Sequence, residues 1–283
     1  MPSGGKIVWL ASYMKSGNTW LRLLIANYLF AADAPIDINR IDLNSPYPVR
    51  KDFLEEKSIV DPNLLSFDET NLLRSIIMED FVQRCDRINC IKVHDKHGVT
   101  IDGTPLFGRG DAWSAVYILR DPRDVAVSLA FHYNVTFDRA IKMLNNPKQR
   151  IAGYRGKYVP QVEQGVSDWS AHAASWVDQS DFPVHILRFE DLRANPVEAF
   201  GAVVAFMGLE KRQERVERSV RFSDFTELQR QERQSGFSER SSRSTAPFFR
   251  SGRVGAWAKV LTTAQSDAIA AAHHPMMERF GYL

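Results

Sequence analysis

Short apolar runs rich in β-branched residues recur along the chain, and stretches with helical spacing separate them. Four of these runs are predicted strands: Ile7–Ala11, Ile88–Val93, Ala115–Leu119 and Val184–Phe189. Continuous apolar runs of this length are typical of strands that are covered on both faces, and their alternation with helices is typical of βαβ units. The pattern therefore predicts an α/β fold with a central, mostly parallel sheet flanked by helices.

Helical patterns follow three of the predicted strands. The segment Thr19–Phe30 carries apolar residues on one face, at Leu21, Leu24, Ile25 and Tyr28. A second helix is predicted to begin at Asp121-Pro122 and a third at Asn195-Pro196, because Asp and Asn cap helices and proline suits the first helical position. We expect the third helix to stop at Gly208, since glycine is a common helix terminator.

One long polar stretch stands out from this alternation. Residues 229–247 (QRQERQSGFSERSSRSTAP) are basic and nearly free of apolar side chains. The stretch is predicted to be a long loop, and such loops inside compact domains are usually lids, binding loops or disordered segments. No shift in composition marks a domain boundary, so we expect one domain over residues 1–283.

Composition narrows the classes of partner. The 36 Lys and Arg residues nearly balance the 34 Asp and Glu residues, for a net charge of +2, which argues against a nucleic-acid partner. No apolar stretch approaches the length of a membrane helix, and the N-terminal apolar run is too short for a signal peptide. A cytoplasmic location without a membrane partner is therefore expected. Two cysteines, Cys85 and Cys90, form neither a disulfide framework nor a zinc motif.

A first candidate anion site links the first predicted strand to the first helix. There Lys15, Ser16, Gly17, Asn18 and Thr19 lie where the helix begins. The N-terminus of a helix offers unpaired N–H groups and a positive dipole end, and glycine permits close approach of the backbone. The order of Lys and Gly differs from that of the nucleoside-triphosphate loop GxxxxGK[ST]. An ordinary strand-to-helix turn with a surface lysine is the alternative.

A second candidate site repeats this architecture. Arg120 follows a buried-type strand, at the edge where ligands bind in open α/β sheets, and Ser128 lies two turns into the next helix. Arginine offers a bidentate fork for phosphate, and serine adds a hydroxyl donor. The alternative is an arginine paired with Asp121 or Asp124 and a serine that faces solvent.

Together these segments resemble the family of sulfotransferases that depend on 3′-phosphoadenosine 5′-phosphosulfate (PAPS). The loop of that family typically reads YPKSGTTW, and this chain has YMKSGNTW at Tyr13–Trp20. Its segment R-(D/N)-P-(R/K)-D-x-x-x-S resembles Arg120–Ser128. Its R-K-G-x-x-G-x-W resembles Arg250–Trp257, and its Y-E-D-L turn resembles Phe189–Leu192. The four motifs occur in the family's order and imply its P-loop-like fold. The wording of the first motif is also similar to that of bacterial members that sulfate natural products.

Three residues depart from the family pattern. Met14 stands in place of the usual proline, so the loop loses a fixed φ. Phe189 replaces a tyrosine and removes a hydroxyl that would face the adenine. Ser251 replaces a lysine and weakens one contact with the 3′-phosphate.

The resemblance implies a set of cofactor-binding residues and no metal. Ser16, Gly17, Asn18 and Thr19 would hold the 5′-phosphate, and Lys15 would serve the bridging oxygen of the leaving group. The 3′-phosphate would be held by Arg120, Ser128, Arg250, Ser251 and Gly252. The adenine would be flanked by Trp20, Phe189, Ser223 and Phe225. A tryptophan in the core between helix and sheet is the alternative for Trp20.

The acceptor needs a general base, and histidine titrates nearest to neutrality. His94 ends the run Lys92-Val93-His94, which resembles the family's K-T-H, and Lys92 is the candidate for contact with the sulfuryl oxygens. His97 is the competing candidate. The other five histidines, including His132 and His172, are interpreted as structural or surface residues.

Two other functional classes remain as alternatives. A P-loop-like small-molecule kinase would need a Mg²⁺-binding carboxylate and the triphosphate loop. A non-catalytic nucleotide-binding protein would not need both Lys15 and His94. Binding of a polyanion through Arg230–Arg250 is a further, weaker reading.

The sequence does not identify the acceptor. We expect a small-molecule or glycan-like acceptor that presents a hydroxyl or an amine to the sulfuryl group. The oligomeric state is not encoded in any recognisable pattern, and a homodimer is compatible with the sequence.

Overall fold

The computed structural model describes residues 5–41, 43, 45–153 and 159–283. The strands are β1 (Lys6–Ser12), β2 (Ile88–Val93), β3 (Trp113–Leu119), β4 (Arg150–Ile151), β5 (Gln164–Gly165) and β6 (Val184–Arg188). The helices are α1 (Asn18–Phe30), α2 (Lys51–Ser58), α3 (Phe67–Arg84), α4 (Pro122–Tyr133), α5 (Phe137–Leu144), α6 (Trp169–Val177), α7 (Phe189–Ala194), α8 (Pro196–Phe206), α9 (Gln213–Phe222), α10 (Phe225–Ser235) and α11 (Thr263–Arg279). Short 3₁₀ turns lie at Pro62–Leu64 and Ala256–Lys259.

The four predicted strands form one sheet in the order β2-β1-β3-β6. Strands β1 and β2 are parallel, with Lys6 opposite Ile88 and Ala11 opposite Val93. All seven residues of β3 are buried, as the continuous apolar run predicted. The predicted α/β fold with a central parallel sheet flanked by helices is therefore confirmed.

By their internal contacts the residues group into two compact units. The first unit consists of Met1–Tyr13, Leu43–Tyr117 and Pro147–His185. Its core contains stacked indole rings of Trp9 and Trp113, whose centroids lie 6.0 Å apart. The Trp9 Nε1–H donates to the carbonyl oxygen of Phe107 over 2.9 Å, so the buried indole keeps a hydrogen-bond partner.

The second unit consists of Met14–Asp42, Ile118–Asn146 and Ile186–Leu283. Its core includes the fully buried Leu21, Leu23 and Leu24 of α1, and the ring of Tyr28 meets that of Phe200 edge-on. The expectation of one domain over residues 1–283 stays a prediction beside this division.

The predicted helix starts agree with the structure. Asp121 caps α4 by accepting a hydrogen bond from the N–H of Arg123, and Pro122 occupies the first helical position. Helix α8 begins at Pro196 as predicted, although Asn195 makes no side-chain cap hydrogen bond. The chain leaves α8 through Gly208 at φ 75°, a left-handed conformation that favours glycine.

Two sequence predictions need correction. Phe189 does not end β6 but begins α7. The polar stretch 229–247 is not wholly a loop, because its first residues belong to α10. That helix is stabilised by the N-cap Asp224, by contacts from Glu227 to Arg230 and Gln231 one turn later, and by burial of Leu228. The polar side chains of this helix pair with each other, and the part of it within this stretch shows no apolar residues at helical spacing. The helix was therefore not predicted from the sequence pattern.

Within the described residues, no helix combines the length and the apolar character that crossing a bilayer would require.

A buried ion pair in the first unit gives a test of this packing. Arg74 of α3 holds the carboxylate of Asp95 through two hydrogen bonds of 3.0 and 2.8 Å, and both side chains are almost inaccessible to solvent. We expect Arg74→Met to lower the free energy of unfolding by about 3–5 kcal/mol, because it leaves a buried carboxylate unpaired. Urea denaturation followed by circular dichroism measures this.

The control removes an exposed ion pair from the same helix. Arg84 pairs with Asp80 at the surface, and Arg84→Met is expected to change the free energy of unfolding by less than about 0.5 kcal/mol. Equal effects of the two substitutions would contradict the importance given to the buried pair.

Candidate active site

The first predicted anion loop has the backbone that such a loop needs. Lys15 has φ 66° and Gly17 has φ 112°, and α1 begins immediately afterwards at Asn18. A Cβ atom at Gly17 would lie 2.7 Å from the ring of Phe189, so only glycine fits there. A left-handed lysine costs roughly 1 kcal/mol or more, and such strain is characteristic of functional loops.

The amine of Lys15 lies in a cavity of the second unit. Its Nζ is 3.8 Å from the centroid of the Phe248 ring and 3.5 Å from Nδ1 of His132. The side chains that line this cavity come from the first loop, from α4 and from the C-terminal segment: Lys15, Ser128, Phe131, His132, Arg240, Ser244, Pro247, Phe248 and Arg250. The structure therefore brings together Lys15, Ser128 and Arg250, three residues that the sequence assigned to phosphate binding.

Arg120 is the most buried cation of the candidate site, with only 9% of its surface exposed. Its guanidinium lies 4.3 Å from the Phe189 ring centroid and donates to the carbonyl oxygens of Lys15, over 3.4 Å, and Arg253, over 3.1 Å. Asp124 approaches it only to 3.7 Å. Burial is the main cause that lowers the pKa of Arg120, and repulsion from Arg250 adds to it. The carboxylates of Asp124, Glu190 and Asp121 oppose this shift, and the Nε of Arg120 is left without a hydrogen-bond partner among the described residues.

Asp124 attaches the C-terminal motif to α4. Its two carboxylate oxygens accept hydrogen bonds from the N–H groups of Gly255, over 2.9 Å, and Trp257, over 3.0 Å. Burial raises the pKa of Asp124, and its hydrogen bonds and Arg120 oppose that shift. This carboxylate thus holds the Arg250–Trp257 segment, a role that the sequence analysis considered only as a pairing partner for Arg120.

The residues predicted to flank the adenine form an aromatic group. Trp20 meets Phe189 edge-on at 5.6 Å, and its Nε1–H donates to the carbonyl oxygen of Ser223. Ser223 is fully buried, and its Oγ accepts a hydrogen bond from Asn27. A Cβ at Gly252 would lie 2.5 Å from Phe225, which places that ring against the C-terminal motif. Contact of these side chains with an adenine stays a prediction.

An unexpected carboxylate meets the first loop. Glu239 accepts a hydrogen bond from the hydroxyl of Thr19 over 3.1 Å and from Arg22 over 2.6 Å. It belongs to the polar stretch that the sequence analysis interpreted as a lid or binding loop. The negative charge of Glu239 beside Thr19 opposes binding of an anion at the same place.

The candidate base lies in the first unit. Nδ1 of His94 is 2.9 Å from the carbonyl oxygen of Ser12 and 3.2 Å from the Ser12 hydroxyl. Because a carbonyl oxygen only accepts, we assign the proton of the neutral ring to Nδ1 and the lone pair to Nε2. Lys92 lies two positions earlier, within β2, whereas His94 directly follows the end of that strand.

The competing histidine has a different environment. His97 is 6% exposed and packs among the rings of Phe107, Trp176 and Phe182. Burial lowers its pKa, and the carboxylate of Asp181 partly opposes this shift. Such a site is typical of a core histidine, whereas His94 is only half-buried.

The residues predicted for catalysis and for cofactor binding divide between the two units. His94 and Lys92 belong to the first unit, and every predicted cofactor-binding residue belongs to the second. The sequence analysis missed His132, Phe248 and Glu239, and it interpreted His132 as a structural or surface residue. The spacing of Ser128 and His132, four residues apart on one helix, was the available signal for His132.

The polar groups of the second unit fit a phosphorylated ligand. Ser16 Oγ and Arg120 Nε are buried, and neither has a hydrogen-bond partner within the described part of the chain. Both are donors, and both belong to segments predicted to bind phosphate. A doubly charged anion would supply the acceptors that these groups need. In the described ranges, His, Cys, Asp and Glu side chains form no group of three or more that could hold a metal ion.

Comparison with known proteins agrees with this geometry. Residues 6–281 match the family model described as the sulfotransferase domain. Cytosolic sulfotransferase 16 of Arabidopsis thaliana is 24% identical over 265 residues, which are 89% of this chain and 70% of the relative. Sulfotransferase 1A1 of Canis lupus familiaris is 24% identical over 96% of this chain and 83% of its own length.

Solved structures show the same fold. Retinol dehydratase, in complex with androsterone and the inactive cofactor PAP, superposes with a TM-score of 0.61 at 19% identity, over 98% of this chain and 82% of the other. A mouse sulfotransferase in complex with PAP superposes with a TM-score of 0.56 at 18% identity, over 96% and 84%.

The chain belongs to the sulfotransferase family, since the family model covers nearly its whole length. The resemblance found in the sequence and the predicted sulfotransferase fold are therefore confirmed.

The contact between Glu239 and Thr19 yields a test with adenosine 3′,5′-bisphosphate (PAP), the desulfated form of the predicted co-substrate. We expect Glu239→Gln to tighten binding of PAP roughly three- to tenfold, because it removes a negative charge that contacts the loop predicted to hold the 5′-phosphate. Isothermal titration calorimetry measures the Kd.

The matched control makes the same charge change on α10. Glu227 pairs with Arg230, and Glu227→Gln is expected to leave the Kd for PAP within twofold of the wild-type value. Weaker binding of PAP by Glu239→Gln would show that Glu239 supports the loop more than it opposes the anion.

Proposed function

We propose that this enzyme transfers the sulfuryl group of PAPS to an acceptor hydroxyl or amine by in-line displacement, with His94 as the general base. Sulfuryl transfer is the activity of the family, and PAPS is the donor. The observation that carries the proposal is the buried guanidinium of Arg120, whose Nε has no hydrogen-bond partner among the described residues and which lies near Arg250 and donates to the loop of Lys15.

The second unit holds the donor in this proposal. Ser16, Gly17, Asn18 and Thr19 bind the 5′-phosphate through loop and helix N–H groups and side-chain donors. Arg120, Ser128 and Arg250 bind the 3′-phosphate, together with the N–H groups of Ser251 and Gly252. Trp20, Phe189, Ser223 and Phe225 flank the adenine. Two cations on one phosphate distinguish PAPS from nucleotides that lack the 3′-phosphate.

Lys15 and His94 carry the chemistry. PAPS supplies an activated sulfuryl group whose departure places negative charge on the oxygen that bridged sulfur and phosphorus. The amine of Lys15 stabilises that charge, and Lys92 stabilises charge on the sulfuryl oxygens. Nε2 of His94 takes the proton of the acceptor, since the ring carries its own proton on Nδ1. No metal takes part in this proposal.

The acceptor is proposed to be a small molecule, with a glycan-like compound as the second possibility. Retinol dehydratase has been solved with retinol and with androsterone, both of which are largely apolar. Phe131 and Phe248 line the cavity that holds the Lys15 amine and offer apolar surface there. We place the enzyme in the cytoplasm. Its oligomeric state is left to measurement, with a homodimer as one possibility.

The role of Arg120 is tested with a pair of nucleotides. We expect Arg120→Ala to weaken binding of PAP at least about 30-fold, or ~2 kcal/mol, because a charge-assisted contact with the 3′-phosphate is lost. The same substitution should leave binding of adenosine 5′-monophosphate, which lacks that phosphate, within about threefold. Calorimetric titration of both nucleotides gives the two Kd values.

Arg218→Ala is the control, because Arg218 is another partly buried arginine of the second unit whose guanidinium donates to a carbonyl oxygen, that of Ala31. It should change neither Kd. Equal losses of affinity for both nucleotides on Arg120→Ala would show that Arg120 does not bind the 3′-phosphate.

The kinase alternative is tested by thermal melting. Protection of the wild type by ATP with Mg²⁺ but not by PAP would favour the kinase.

The role of His94 is tested by transfer of labelled sulfate from PAPS to a panel of phenols, alcohols and amines, with mass gain identifying the product. His94→Ala is expected to lower the transfer rate at least about 100-fold and to leave the Kd for PAP within twofold. His97→Gln, the matched control, should retain most of the rate. Loss of activity in His97→Gln with activity retained in His94→Ala would reverse the assignment, and a silent wild type across the panel would favour the non-catalytic alternative.

A further inference from the structure

The chain that follows β2 is held in place by side chains of one helix, α6. His172 Nε2 lies 3.1 Å from the carbonyl oxygen of His94, and Trp176 Nε1 donates to that of Asp95 over 3.0 Å. The hydroxyl of Ser175 accepts a hydrogen bond from the N–H of His97 over 3.0 Å. Attachments at residues 94, 95 and 97 to one helix fix the backbone that carries the proposed base, and all of these residues belong to the first unit.

The tautomer of His172 follows from its two neighbours. Its Nε2 faces a carbonyl oxygen and therefore carries the proton, so Nδ1 is left to accept a hydrogen bond. The hydroxyl of Tyr117 lies 2.9 Å from Nδ1 and donates to it. Both side chains are fully buried. Burial lowers the pKa of His172 to about 3, so the ring is neutral at physiological pH. The hydrogen bonds therefore run in one direction, from the Tyr117 hydroxyl to His172 and from His172 to the carbonyl oxygen of His94.

The ring of His94 depends on this backbone. Its Nδ1 is attached to Ser12 of β1, whereas its main chain is attached to α6. The position of residue 94 therefore sets the distance between its imidazole and the Ser12 carbonyl oxygen. A shift of residue 94 by a few tenths of an ångström would lengthen this bond and release the ring to exchange between tautomers.

We propose that His172, with its tautomer set by Tyr117, is a positioning residue that holds His94 in the form protonated at Nδ1. The inference rests on the proposed function for its catalytic meaning, since it concerns the residue named there as the base. Its structural content is independent of the acceptor and of transfer itself. The sequence analysis interpreted His172 as a structural or surface residue, and the structure gives it this specific attachment.

The test is the tautomer of His94 in protein labelled with ¹⁵N-histidine, read from long-range ¹H–¹⁵N spectra at mildly alkaline pH. His94→Asn assigns the signals. In the wild type we expect one tautomer, with Nδ1 protonated and Nε2 unprotonated. His172→Leu removes the donor to the His94 carbonyl and should give averaged signals of the two tautomers.

Two conservative variants guard against a simple folding defect. His172→Gln can place an amide N–H near the position of Nε2 and should retain the single tautomer. Tyr117→Phe removes only the hydroxyl, frees His172 to protonate Nδ1 and should give partial averaging at His94. Thermal melting with and without PAP verifies that each variant is folded.

His273→Leu is the matched control, because His273 of α11 is also buried and its Nε2 contacts Asn145 over 3.0 Å. It should leave the His94 signals unchanged. A single Nδ1-protonated tautomer at His94 in folded His172→Leu or Tyr117→Phe would overturn the positioning role and leave the proposed function intact. Retained sulfate transfer by His94→Ala would overturn the proposed base while leaving the tautomer result as it is.

Discussion

A buried guanidinium whose Nε has no hydrogen-bond partner among the described residues is the constraint on which the second unit depends. Arg120 follows β3, lies against the ring of Phe189 and donates to two main-chain carbonyls, with the carboxylate of Asp124 at 3.7 Å. Removing such a charge from water is costly unless an anion completes its contacts. The first loop, α4 and the C-terminal motif are each attached near it, the last through Asp124. A phosphate bound here would supply the acceptor that the Nε of Arg120 needs.

A second constraint acts in the first unit, where main-chain carbonyls determine the state of a histidine. The oxygen of Ser12 requires a proton on Nδ1 of His94, and the oxygen of His94 requires a proton on Nε2 of His172. These main-chain contacts select one neutral form of each ring. In the proposed mechanism, the carbonyl of Ser12 leaves Nε2 of His94 with the lone pair that takes the acceptor proton.

Much of the fold was predictable because it depends on local patterns. Continuous apolar runs identified the four strands of the sheet, and Asp121-Pro122 identified the start of α4. Helix α10 was missed because its polar residues pair with each other, and Phe189 was placed in a strand although it starts α7. The motif residues were found by resemblance to the family. Three of them, Lys15, Ser128 and Arg250, line one cavity in the structure. Glu239 was not predictable, since its contact with Thr19 across 220 residues leaves no trace in spacing. His132 was missed although it lies one turn after Ser128 on α4.

The most direct test of the account is a crystal structure of the chain with PAP. The account predicts the 3′-phosphate against the guanidinium of Arg120, with an oxygen accepting from its Nε, and the 5′-phosphate against the N–H groups that begin α1. A nucleotide bound elsewhere, or an Arg120 that keeps only its contacts to the carbonyls of Lys15 and Arg253, would contradict it.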